Sequence, residues 1–170
     1  MAHKVSKMGK PHMLSSAVIP YDPGAIPVRP APAPGDRIIF EVCGLPPIKT
    51  VHQSIRNRRH PQHSSFVALR IAAINAMGGR AWYFGSVGLD LTIFGTRNLS
   101  RWSLIDYLGG VMDTLGGSSG ATFTYLPVIY QDDCQVSTTR ICWIESIKES
   151  YLVKILFQQI GTDGHGQDVF

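Results

Sequence analysis

The residues best suited to chemistry lie between Ser103 and Val136, in the run SLIDYLGGVMDTLGGSSGATFTYLPVIYQDDCQV. This run holds Asp106, Asp113, Asp132 and Asp133, four of the chain's twelve acidic residues. Carboxylates that return from separate segments to one point can hold a divalent cation such as Mg2+. A cation held that way activates a water and stabilises the leaving oxygen of a phosphodiester. All four aspartates are therefore catalytic candidates. Asp106 and Asp133 are the candidate metal ligands, with Asp113 or Asp132 assisting. Each also has a purely structural use. Asp106 lies three residues after Ser103, the spacing of a helix capping box. Asp113 can be an exposed helical carboxylate or bond to the following loop. Asp132-Asp133 can form an Asx turn entering a strand. Asp106 and Asp113 share a helix face but sit about 10 Å apart along the axis, too far to bind one ion together.

Charge is divided along the chain. The net charge is +4. From Arg37 to Arg101 nine Lys/Arg face two acids, whereas from Trp102 onward three Lys/Arg face eight acids. A basic half beside an acidic cluster suits a polyanion held over bound metal. Lys49, Arg56, Arg58, Arg59, Arg97 and Arg101 are the candidate phosphate contacts. For each of them alone, a solvated surface charge is the plain alternative.

Other chemistries have less support. Cys43, Cys134 and Cys142 form no CxxC pair, and their odd number argues against a disulfide framework, so free thiols are expected. Cys134 is expected to pack as a small buried hydrophobe. His60 and His63 are interrupted by Pro61, which weakens a zinc reading. There is no GxGxxG, GxxxxGK[ST] or GxSxG, so neither a nucleotide cofactor nor a nucleophile elbow is expected. No apolar run approaches the ~20 residues that span a bilayer. The expectation is a cytoplasmic protein with no membrane partner.

The elements that must position these residues follow from pattern. Residues 1–36 are proline-rich, ending in VRPAPAPGD, and read as a disordered or polyproline-like tail. Arg37–Cys43 is a strand that Gly44-Leu45-Pro46-Pro47 ends. A basic loop follows. Then Phe66, Leu69, Ala73 and Met77 recur at helical spacing, which predicts a helix over 65–77 capped by Ser64 or Ser65. Val87, Leu89, Leu91 and Ile93 alternate as a strand with one buried face. Leu104, Leu108, Val111, Met112 and Leu115 form the stripe of a second helix, with Ser103 as N-cap. Gly109-Gly110 inside that helix costs roughly 1 kcal/mol per glycine, and implies close approach of another backbone or a ligand. Phe123–Tyr130 carries Pro127 and reads as an extended segment outside the sheet centre. QVSTTRICWIES and YLVKILFQQ read as a hairpin joined near Lys148-Glu149. Residues 37–160 thus form a single α/β (α+β) domain, a mixed sheet of about four strands with helices packed on it. A flexible tail over 161–170 follows.

These residues resemble the RusA-like Holliday-junction resolvases over about Arg37 to Phe157. Asp113-Thr114-Leu115 resembles the family's D-[AT]-L turn, and Asp132-Asp133-Cys134-Gln135-Val136 its D-D-x-Q-V segment. The strand, Gly-Leu-Pro-Pro and basic loop agree more loosely. The resemblance implies a homodimeric, magnesium-dependent endonuclease that cuts four-way DNA junctions in recombination and repair, with metal on its acidic residues. The family's opening DxDN motif is altered. Its aspartates fall on Ser103 and Ile105, and Asp106 falls on the Asn position. The lysine one turn on falls on Gly109 or, with a one-residue shift, Gly110. The alternative expectation is therefore a catalytically inactive RusA-like module that binds branched DNA or a protein partner.

Overall fold

The computed structural model describes residues 26–49, 54–96, 103–117 and 126–159. The elements run β1 (Arg37–Cys43), α1 (His63–Met77), β2 (Val87–Gly95), α2 (Leu104–Leu115), a 3-10 turn (Asp133–Gln135), β3 (Val136–Glu145) and β4 (Ser150–Phe157). Among the described residues they make one four-stranded mixed sheet, order β1-β4-β2-β3, with two helices packed on it. This is the α+β architecture expected from the sequence. The Arg97 and Arg101 candidates, residues 1–25 of the expected tail and residues 161–170 lie outside the described residues.

β4 is antiparallel to both β1 and β2, and β3 is parallel to β2. The hairpin reading is therefore corrected. Both strands exist, but β2 lies between them. Burial explains the order. β2 and β4 are the most buried strands and take the centre, while β3 carries mostly exposed side chains and takes an edge. The link between β3 and β4 crosses the end of β2, where Ser146 N donates to Gly95 O (3.3 Å).

Alternation sends Ile38, Phe40 and Val42 of β1, Leu89, Leu91 and Ile93 of β2, and Tyr151, Val153, Ile155 and Phe157 of β4 into the core. There they meet Leu69, Ala73 and Met77 of α1 and Leu108, Val111 and Leu115 of α2. Each fully buried aliphatic side chain contributes about 1.5–3 kcal/mol.

Two boundaries differ from expectation. α1 begins at His63 with Gln62 at the N-cap, and neither serine caps it. His60 makes the turn instead, its Nδ1 accepting from Gln62 N (3.0 Å), so the chain is already helical when it reaches Ser64. The segment from Val28 to Asp36 is bound to the domain. Val28 N and Arg29 N donate to Gly79 O (2.9 Å each), and Gly35 N donates to Phe157 O (2.7 Å). Pro32 is buried, so this part of the proline-rich stretch has a surface to cover.

Candidate metal centre

The centre is built at the C-terminal end of α2. A helix end leaves its last four carbonyls without helical partners. Here all four are used. Met112 O accepts from Gly116 N (3.1 Å) and Tyr130 Oη (3.0 Å), and Leu115 O accepts from Val128 N (3.2 Å) and Ile129 N (3.1 Å). Asp113 O accepts from Arg56 Nη2 (2.8 Å), and Thr114 O from Arg70 Nη1 (3.2 Å). Arg56 also reaches Gly117 O (3.4 Å), and Arg70 reaches Leu126 O (2.9 Å). Two guanidiniums at a helix C-terminus also suit its negative dipole end. Arg56 was expected at phosphate, and the structure gives its guanidinium this capping position. Arg58 and Arg59 are exposed on the same loop.

This fixed end presents Asp113. Asp133 comes from the 3-10 turn before β3, close enough to Asp113 for the Asp113 charge to act on its carboxyl. Asp133 is only half exposed. Burial first, then the Asp113 charge, push its carboxyl above the ordinary range, while Lys49 pulls it down. Lys49 Nζ lies 3.1 Å from Asp113 Oδ1. Beneath the pair, Tyr130 is buried, and burial followed by the charges of Asp133 and Asp113 raises its hydroxyl well above its usual value. Tyr130 is therefore a neutral hydrogen-bond donor that shapes the floor.

The remaining aspartates do structural work. Asp106 completes the capping box expected from the sequence. Its Oδ2 accepts from Ser103 N (2.9 Å) and Ser103 Oγ (2.8 Å), while Asp106 N donates to Ser103 Oγ (3.3 Å). It sits at the opposite end of α2 from Asp113, so the structure does not bring the two expected ligands Asp106 and Asp133 together. Asp132 caps the 3-10 turn, its Oδ1 accepting from Cys134 N (2.9 Å), and that bond holds its carboxyl below the ordinary range. Asp132 is exposed. Of the acidic pair, only Asp133 turns toward Asp113. Cys134 is exposed, which corrects the expectation of a buried hydrophobe, and its hydrogen bond to Asp132 raises its thiol pKa. His63 Nδ1 lies 3.1 Å from Ile55 O, and its ring stacks on Phe66. Among the described residues no three His, Cys, Asp or Glu gather as a metal-binding group.

The glycine pair in α2 has the cause its sequence implied. A Cβ on Gly110 would lie 2.1 Å from Pro47 O and 2.8 Å from Ile48 Cα. The backbone after β1 rests directly on the helix there, and Lys49 N donates to Asp106 O (3.0 Å). This seat delivers Lys49 to Asp113.

Three contributors were not assigned roles from sequence. Gln135 is one. Its Oε1 accepts from Gln131 N (2.7 Å) and Asp132 N (3.1 Å), and its Nε2 donates to Tyr83 O and Gly85 O (2.9 Å each). One amide thus clamps the Asp133 turn to the segment before β2. Arg70 and Tyr130 are the others. The signal for Arg70 was a lone arginine on the apolar stripe of α1, where it lies 5.8 Å from the Phe66 ring centroid.

No protein-family model matches this chain, and no curated protein matches it significantly. Among the described residues no helix is long and apolar enough to cross a membrane.

Two carboxylates offer hard-oxygen donors of the kind Mg2+ takes. That ion commonly takes one or two carboxylates and completes its shell with water and phosphate oxygens. Asp113 and Asp133 are the residues that would hold it.

Proposed function

We propose that this chain is a magnesium-dependent endonuclease acting on branched DNA, with Asp113 and Asp133 as the metal-holding pair. The observation that carries this reading is their convergence from separate segments, where burial first and then the Asp113 charge raise the Asp133 pKa. The resemblance of Asp113–Leu115 and Asp132–Val136 to the RusA-like motifs supports the same substrate class. Magnesium bound there would lower the pKa of a coordinated water and neutralise charge on the cut phosphodiester. Lys49 stands beside the pair, and Arg58 and Arg59 offer exposed charge for the neighbouring backbone phosphates. Asp106 keeps a capping role. A junction with two strands to cut suits a homodimer, which light scattering at micromolar concentration checks by returning twice the chain mass.

One observation favours a second reading, a RusA-like module that binds branched DNA or a protein without cutting. Asp106 is engaged by Ser103 and Asp113 is paired with Lys49, which leaves two carboxylates at the centre and, among the described residues, no third. Cleavage of a synthetic four-way junction with magnesium separates the two. Cutting by the native chain that Asp133→Asn abolishes supports the nuclease. Junction binding without cutting by either protein supports the module.

A further inference from the structure

β3 closes one side of the sheet and leaves its own outer edge open. At ten residues it is the longest of the four strands, and among the described residues no further backbone hydrogen bond is made from that edge. An open edge is a template for another strand, and proteins guard it with charges, proline, a bulge or a short strand. β1, the other edge, is guarded. It has seven residues, with Arg37 and Glu41 exposed among them, and runs into Pro46-Pro47. β3 has its one irregularity at the start, where the ladder with β2 skips Ser137, and from Thr138 to Glu145 it runs in unbroken register. Only Arg140 and Glu145 are charged in that run, and their charges cancel. Toward the helices it presents Ile141 and Trp143, both only half-buried, with the Trp143 ring 5.9 Å from that of Tyr107. On the other face Cys142 and Ile144 are exposed.

We propose that β3 pairs antiparallel with β3 of a second copy of this chain, about a two-fold axis through Cys142, so that two sheets join into one of eight strands. The proposal rests on the homodimer of the proposed function and deepens it by naming its surface; it needs no metal. The residue pattern is self-complementary in this register. Ile141 faces the partner's Trp143, and the two-fold makes that aliphatic–aromatic pair twice. Arg140 faces the partner's Ile144, and Glu145 faces the partner's Thr139. An axis at Arg140 would set two guanidiniums directly opposite each other, which is destabilising. An axis at Ile141 would set Trp143 against the partner's Thr139 and lose both mixed pairs. A polyanion would find one cation on this strand, so nucleic acid is not the occupant its charges favour. An axis perpendicular to the sheet keeps the helices of both copies on one face. The two starts of β3, with the Asp133 turns before them, then lie at opposite ends of the seam, about 40 Å apart at ~3.3 Å per residue.

The seam sets the two Cys142 Cα atoms about 4.5–5.5 Å apart, inside the reach of a disulfide. Diamide, which takes up the two thiol hydrogens as the S–S bond forms, is expected to give a covalent dimer of the full chain on a non-reducing gel. That product should vanish in Cys142→Ser and persist in Cys43→Ser and Cys134→Ser. A second test uses charge. Ile144→Lys sets a cation opposite the partner's Arg140 at both ends of the seam, and should weaken dimerisation about two- to tenfold in sedimentation. Adding Arg140→Glu should restore it. The two positions are four residues apart along one strand, so the rescue reports the partner strand and not the fold of either copy. A native dimer that cross-links through Cys43 or Cys134, that gives no cross-link through Cys142, or that shows no rescue overturns the seam and leaves the homodimer on another surface. A native chain that sediments as a monomer sinks both.

Discussion

The two ends of α2 carry the same side chain in opposite circumstances. At the N-terminal end Asp106 meets the exposed donors of its own first turn, and a neighbour three residues away satisfies it. At the C-terminal end Asp113 meets a second carboxylate and a lysine from 64 residues away in sequence. One aspartate is locally content and supports the helix. The other pairs with a lysine and stands beside Asp133, whose carboxyl burial and the Asp113 charge push above the ordinary range. That contrast separates the proposed metal-holding pair from the caps.

The largest expected effect that tests this contrast is on cleavage. Asp113→Asn or Asp133→Asn should reduce junction cutting to background, while Asp106→Ala should leave most of it. Equal losses at both ends of the helix would erase the distinction. Next is Gly110→Ala, whose methyl would enter Pro47 O. It should cost on the order of 1–3 kcal/mol as overpacking, visible as a lower urea midpoint, and should displace Lys49. Gln135→Leu leaves Tyr83 O and Gly85 O without that donor and should cost about 1–3 kcal/mol, with loss of metal binding because Asp133 loses its anchor. Asp106→Ala should cost about 1 kcal/mol as a lost cap contact.

The smallest effect is the most diagnostic. The folded-state pKa of Asp133 is raised, so the unfolded chain gives up this proton first. Its contribution is neutral below the ordinary carboxyl range and becomes destabilising as pH rises through the raised value. Asp133→Asn should therefore have the higher urea midpoint at neutral pH, with the gap closing on acidification. A gap that opens on acidification would mean that a favourable partner, not Asp113 and burial, governs Asp133.

Much of this was legible in the sequence where the determinants are local. The Ser103–Asp106 capping box, the strand over 37–43 and the alternation of β2 need only neighbours within a few residues. Gly109-Gly110 announced a close approach but not which backbone made it. The hairpin reading failed because sequence adjacency favours pairing β3 with β4, whereas burial of β2 places it between them. The site was half legible for the same reason. Asp133 stood out in its motif, but Lys49 and the capping of Asp113 O by Arg56 exist only once the chain has closed on itself.

The position of β4 has a consequence for how the protein comes into being. The last of the described strands lies inside the sheet, between the first and the second. As the chain leaves the ribosome, β1 and β2 have no strand to join them until residue 157 has emerged. Pairings of such long sequence separation form slowly. A nascent chain that ends before Ser150 contains Lys49, Asp113 and Asp133 and holds none of them in place. The acidic centre is thus assembled only after synthesis has passed it by.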